Sequence, residues 1–344
     1  HAVVFDTEAA ECRERNKRRG RPVSAAVLKG QLERHAEQRR TIADEGFAGV
    51  PGPGPVRLLG ADVLAGATAR PPMAFGLQIP RFTWTGGSDE LAGRLAAIAR
   101  AADDAGFESI WVMDHFIQIP QAGREWEEML DSWTTLGFLA AHTARARLGT
   151  LVTGVTYRNV AHLGKIVATL DVLSGGRAIC GIGAAWFERE HRAYGWPFPS
   201  RRERFVLLED ALQLLPLMWG PGSPPFKGAV LEAAETMCYP RPIQDHVPIL
   251  VGGAGERKTL RLVAQYADAC NLFGDAGTVS HKVEVLRRHC ADVGRDPAEI
   301  TVTHLSSALL DVDAVQRLHP TALTPEAYAA RGGAGTVDDQ LARY

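Results

Sequence analysis

The chain has 344 residues, of which 46% are hydrophobic and 23% charged, with a net charge of −2. That is ample material for a large globular core, and it carries no charge bias toward nucleic acid or an anionic membrane surface. The longest apolar runs, such as "VPILVGG" from Val247, are far too short to span a bilayer, and "HAVVFDTEAAECRER" has no secretory pattern.

Residues 1–50 are dense in charge, with "ECRERNKRRGRP" and "LERHAEQRR" reading as exposed helices on either side of Pro22. Residues 51–72 interleave proline and glycine and end in the Pro71-Pro72 pair, which marks a connector. The start at His1 and the end at "GTVDDQLARY", inside an amphipathic pattern, suggest a piece of a longer protein.

From Met73 onward the pattern becomes strand, turn, helix, repeated. "MAFGLQI" leads to a helix over 88–105, "FESIWVM" to 131–145, "RLGTLVTGV" to 160–173, and "RAICGIG" to 188–194 and 201–218. "VPILVGG" leads to 256–266, "ACNLF" to 278–294, and "EITVTHLSSALL" to helices near 313–317 and 325–330. These seven units, with mostly apolar strands, predict an α/β fold of the TIM-type (β/α)₈ barrel with its last strand truncated beyond Tyr344. A doubly wound open sheet is the alternative.

Several motifs fail on inspection. "GIGAAW" puts Trp186 where a dinucleotide fingerprint needs its third glycine. "GGAGERKT" puts Arg257 where a P-loop needs glycine before Lys258. "EREH" at Glu188–His191 lacks the two histidines four apart that bind zinc from one helix face. His142, His162 and His246 are isolated, and the five cysteines (Cys12, Cys180, Cys238, Cys270, Cys290) lie far apart. No metal site is expected, and the thiols fit a reduced, cytoplasmic protein.

The strand ends carry the remaining signals, because the loops after the strands form the active face of a barrel. Asp114-His115 follows the second strand and puts a carboxylate and an imidazole at the rim. Thr153 and Gly154 end the third, and Gly183-Ala184-Ala185 the fourth, keeping side chains small near a flat ligand. The fifth opens into "VGGAGERKT", a glycine-rich turn feeding a helix, where free backbone N–H groups would suit a phosphate. With no nucleophile–base pair or paired acids, this pattern points to a planar, phosphorylated cofactor that does the chemistry itself.

"GFESIWVMDHF", "TLVTGVTYRNVAHLGKIVATLDVLSGGRAICGIGAAWFEREHRAYG" and "PILVGGAGERKTLRLVAQYADACNLFG" closely resemble the luciferase-like monooxygenase family, and within it the coenzyme F420-dependent oxidoreductases. The resemblance spans about residues 73–344, taken as one barrel domain. It implies that Asp114 and His115 contact the deazaflavin ring, His115 as proton donor or substrate contact, so that both are the catalytic candidates. It implies that Thr153 lies near the ring beside a cis peptide, and that Ala184 and Ala185 line the cofactor. It assigns Gly252, Gly253, Gly255 and Glu256 to the turn that holds the phosphate. Some deazaflavin dehydrogenases of the family carry a glutamate base with no clear match here, so a sugar-phosphate substrate is not inherited.

Residues 1–50 resemble the C-terminal part of a P-loop kinase of the polynucleotide-kinase type, with Arg13, Arg15, Arg18, Arg19 and Arg21 as lid charges. The leading expectation is hydride transfer between F420 and a small organic substrate, without membrane or nucleic-acid partners for the barrel and with dimerisation by analogy. The alternatives are an FMN-dependent monooxygenase, a bifunctional kinase–oxidoreductase, and a barrel without cofactor.

Overall fold

The computed structural model describes residues 73–84 and 86–306. Residues 1–50, expected to resemble a P-loop kinase, the expected connector 51–72, the helices expected near 313–317 and 325–330, and the expected truncated strand lie outside the described residues.

The elements alternate as the sequence predicts. In chain order they are β1 (Gly76–Ile79), α1 (Gly87–Asp104), β2 (Ser109–Val112), α2 (Ser132–Ala140), β3 (Arg147–Thr150), β4 (Thr153–Gly154), α3 (Val160–Ser174) and β5 (Ala178–Gly183). Then come α4 (Glu188–Tyr194), α5 (Arg201–Trp219), the hairpin β6 (Phe226–Lys227) and β7 (Glu232–Ala233), β8 (Ile249–Gly252), α6 (Thr259–Tyr266), β9 (Ala269–Leu272), α7 (Ala276–Val293) and β10 (Thr301–His304).

The main sheet has the order β1-β2-β3-β5-β8-β9-β10, with β4 beside β5, and every pairing in it is parallel. Strand order follows chain order and never reverses, so the doubly wound alternative, which needs a switch point, does not hold. The sheet curls as half of a barrel. Ile110, Val112, Leu148, Cys180, Ile182, Val251, Cys270 and Leu272 join the apolar core under the helices. By alternation, Ser109, Trp111, Gly149, Gly181 and Asn271 turn to the inner face. Trp111 Nε1 donates to Ser109 Oγ at 2.7 Å, and its ring lies 2.7 Å from where a Cβ on Gly149 would stand.

Buried aspartates tie the loops to this frame. The Asp171 carboxylate of "TLDVLSGGR" accepts from the N–H of Ala178 (3.2 Å), Ile243 (2.7 Å) and Gln244 (3.1 Å) and from Gln244 Nε2 (2.6 Å). Asp103 accepts from the N–H groups of Ala144, Arg145 and Ala146 at 2.6–2.9 Å. Arg177 donates to the carbonyls of Ala140, Thr143 and Ala146. These bonds explain why the helix expected over 131–145 ends at Ala140: the residues after it are held by Asp103 and Arg177 instead.

Two further differences from the expected elements bear on the site. The strand read as continuous through "RLGTLVTGV" is β3 and β4, separated by Leu151 and Val152, whose joining peptide is cis. The helix expected from residue 256 starts at Thr259, because Glu256–Lys258 form a turn after Gly253 and Gly255. The four described cysteines are free and buried, with burial pushing the Cys180 and Cys270 thiols up to about 12.

Asp171→Ala removes the shared acceptor of three backbone N–H groups, those of Ala178, Ile243 and Gln244, and urea unfolding is expected to show a loss of about 1–3 kcal/mol. Burial works to raise the Asp103 pKa, but the three backbone N–H donors outweigh it and hold it below the ordinary aspartate value. Its stabilisation is therefore present above the unfolded-state pKa of about 4 and is lost as pH falls through the lower folded value. Asp103→Asn should accordingly be less stable than the parent at neutral pH, and the gap should narrow in acid when Tm is followed against pH.

Candidate active site

The site stands at the C-terminal ends of β2, β4, β5 and β8, the end at which parallel barrels carry their chemistry. Asp114, 1% exposed, lies just beyond β2. It accepts from Ser132 Oγ (2.6 Å) and from Arg158 Nη1 (2.5 Å) and Nη2 (3.0 Å), and Thr153 Oγ1 also donates to it. Arg158 reaches on to Asp131 at 3.0 Å. Burial alone would weaken the Arg158 charge, but Asp114 and then Asp131 outweigh it and raise the guanidinium pKa. The structure thus brings Asp114 and Thr153 together, with both Asp114 oxygens engaged by the protein.

His115 is 9% exposed, and its Nδ1 is 3.0 Å from Oε1 of the fully buried Glu190 on α4. Glu190 Oε2 accepts from the Phe116 N–H at 2.9 Å, and the Tyr157 hydroxyl donates to Oε1. Burial works to raise the Glu190 pKa, yet His115, the Phe116 N–H and Tyr157 together hold it below the ordinary glutamate value. Burial, then the Glu190 charge, push the Tyr157 phenol up, so it remains a donor. An ionised carboxylate cannot donate, so Nδ1 carries the hydrogen of this pair and Nε2 is the acceptor nitrogen of the ring. Nε2 makes no hydrogen bond among the described residues. The Trp186 and Phe187 rings stand edge-on to the imidazole, at centroid distances of 5.6 and 5.8 Å.

Ala184 and Ala185 follow β5, both half-buried, and Ala185 has φ 59°, the left-handed region that favours glycine. Gly252 is small for the protein's own sake: the Val152 side chain lies 2.6 Å from where its Cβ would be and 3.0 Å from that of Gly183. Val152 therefore packs closely against both glycines. Gly253 has φ +118°, and a Cβ on Gly255 would stand 3.0 Å from Thr259 Oγ1. The N–H groups of Gly253, Ala254, Gly255 and Glu256 have no acceptor among the described residues. The Glu256 side chain turns away to Lys282 (2.6 Å) and His281 (3.2 Å), so only its backbone belongs to the turn.

Sequence reasoning missed Glu190, Tyr157 and Arg158. It weighed "EREH" only as a zinc motif, although an acid just after a rim loop was a signal for a partner to the rim histidine. It also missed Asn271, 2% exposed on the inner face beside Gly252, whose Nδ2 is buried without a partner among the described residues. No cluster able to hold a metal occurs among the described residues, and none of the described helices is long and apolar enough to cross a membrane.

Comparison with known proteins matches residues 73–336 to the family described as luciferase-like monooxygenase. The chain belongs to that family. An uncharacterised protein of Mycobacterium tuberculosis is 32% identical over 215 residues, covering 58% of this chain and 75% of the relative. An F420-dependent glucose-6-phosphate dehydrogenase of Kineococcus radiotolerans is 38% identical over 167 residues, 47% of each chain, so the match spans about half of that relative. Among solved structures, an F420-dependent secondary alcohol dehydrogenase in complex with an F420-acetone adduct superposes with a TM-score of 0.61 at 21% identity, covering 78% of this chain and 81% of that one. The oxygenating constituent of 3,6-diketocamphane monooxygenase of Pseudomonas putida, in complex with FMN, gives 0.57 at 16% identity, with coverage of 75% and 74%. The family match begins at residue 73, and the comparisons do not support the expected resemblance of residues 1–50 to a P-loop kinase.

Glu190→Gln keeps the shape of the site but offers His115 an amide in place of a carboxylate. Imidazole ¹⁵N shifts should then show the Nδ1–H tautomer losing its dominance, and turnover should fall about 10–100-fold, the usual effect of removing a partner that orients a working imidazole.

Proposed function

We propose that this chain is an oxidoreductase that exchanges a hydride between the deazaflavin coenzyme F420 and a small organic substrate. The carrying observation is the His115–Glu190 pair, a tautomer-held imidazole whose Nε2 faces no protein partner, on the same strand ends as a glycine turn with unused N–H groups. The similarity to F420-dependent glucose-6-phosphate dehydrogenases supports the choice of cofactor.

The residues present fit such a group. The turn from Gly253 to Glu256, at the N-terminus of α6, would hold a phosphate through backbone N–H groups and the positive end of the helix. The unsatisfied Asn271 Nδ2 is a donor awaiting an acceptor on the inner face, where a ring carbonyl would serve. When bound, the deazaflavin gives or takes a hydride at a ring carbon. The protein's part is acid–base and positional: Nε2 of neutral His115 takes the proton of a substrate hydroxyl, or in the reverse direction returns it to a carbonyl oxygen. Glu190 stabilises the imidazolium so formed, and Tyr157 keeps Glu190 in place. Asp114, clamped by Arg158, fixes the backbone from which His115 projects.

The second reading is an FMN-dependent monooxygenase, favoured by the likeness to an FMN-containing oxygenating component. The same turn and ring site would serve either cofactor.

Titration of the purified protein with F420 and with FMN in parallel separates the two. Tight F420 binding is expected, with Gly253→Ala weakening it at least about 10-fold because φ +118° is hostile to a side chain. His115→Ala should keep most of the affinity and lose about 10²–10⁴-fold in turnover. Preference for FMN would move the protein to the second reading, and binding of neither would refute both.

A further inference from the structure

The wall beside His115 carries information about the substrate. Trp186 is 53% exposed although it stands edge-on to the imidazole, and it packs on Phe187 at a centroid distance of 5.1 Å. A large apolar ring left open beside a free nitrogen is a surface shaped for something to cover it. A second tryptophan, Trp126, is 80% exposed on the loop between β2 and α2. That loop is tied to α4, which carries Glu190, by the Glu125–Arg189 ion pair.

The charges near His115 lead to the same conclusion. Arg158 is engaged by Asp114 and Asp131. Arg204, the cation behind the loop after β5, gives Nε to the Ala184 carbonyl at 3.0 Å and Nη1 to that of Pro199 at 2.5 Å, with its guanidinium 4.0 Å from the Phe198 ring centroid. Both guanidiniums packed against the site are thus committed to the protein, while Glu190 adds a negative charge next to the imidazole. A phosphorylated or carboxylated substrate placed at Nε2 would stand beside aromatic rings, with neither of these guanidiniums free to pair its charge.

We infer that the substrate is an uncharged, largely apolar or aromatic alcohol or carbonyl compound, its oxygen at His115 Nε2 and its body against Trp186 and Phe187. The inference rests on the oxidoreductase reading above, and it sets this chain apart from relatives named for a sugar phosphate.

The test is ligand-observed saturation-transfer NMR on the full chain, with and without F420, using 1-phenylethanol and glucose 6-phosphate as probes. Wild type should bind 1-phenylethanol, Trp186→Ala should weaken it about 10-fold or more, and Trp186→Phe should restore most of the affinity. Glucose 6-phosphate should show no saturation transfer. Binding of glucose 6-phosphate equal to or tighter than that of 1-phenylethanol, failure of 1-phenylethanol to bind, or indifference to Trp186→Ala would each overturn the inference. F420 and FMN affinities measured on the same samples separate the two levels. Normal F420 binding with a failed alcohol probe refutes the substrate class alone, whereas loss of all cofactor binding refutes the oxidoreductase reading.

Discussion

The buried pair of Asp114 and Arg158 is the constraint on which the site depends. A carboxylate that is 1% exposed is costly unless every lone pair is met, and here Ser132, Thr153 and both terminal nitrogens of Arg158 meet them. Those partners come from the start of α2, from β4 and from the loop before α3, so one side chain locks three segments to the end of β2. His115 is the next residue, and its position follows from that lock. Loss of either partner would leave a charge stranded in the interior, which makes the pair a strong device for holding geometry.

Two carboxylates bear on the imidazole, Asp114 as its chain neighbour and Glu190 across the fold, and their surroundings divide the work. Asp114 is neutralised by a guanidinium and surrounded by hydroxyl donors, so it has no acceptor capacity left for a ligand. Glu190 faces an imidazole, a phenol and one backbone N–H, and its negative charge is directed at His115 Nδ1. A histidine held this way has one nitrogen for the protein and one for the chemistry. The Trp186 and Phe187 rings stand edge-on to the same imidazole.

The small residues along the inner face serve a purpose other than an open mouth. Gly183 and Gly252 make room for Val152, which lies in the break between β3 and β4, and Gly149 makes room for the Trp111 ring. The glycines at the turn before α6 act differently: Gly253 supplies a backbone angle, and the donors around it stay unpaired. Glycine in one short stretch of chain therefore meets two separate demands, close packing at Gly252 and a positive backbone angle at Gly253.

Much of the fold was legible in the chain because its signals are local. The apolar runs, the turn at "VGGAGERKT" and the alternation of strand and helix each span a few residues, and strand order in a parallel sheet of this type then follows chain order. The rim position of Asp114-His115 was legible for the same reason. The partners of those residues were not. Glu190 lies 75 positions from His115 and Arg158 lies 44 from Asp114, and no periodicity connects residues so far apart. The break after Thr150, the left-handed Ala185 and the outward turn of the Glu256 side chain are likewise settled only when neighbouring segments compete for the same space. The sequence by itself determined which residues stand at the strand ends. The tertiary structure alone decided which of them are already engaged by the protein and which atoms, like His115 Nε2 and Asn271 Nδ2, have no partner among the described residues, because burial and hydrogen-bond saturation are properties of the packed chain.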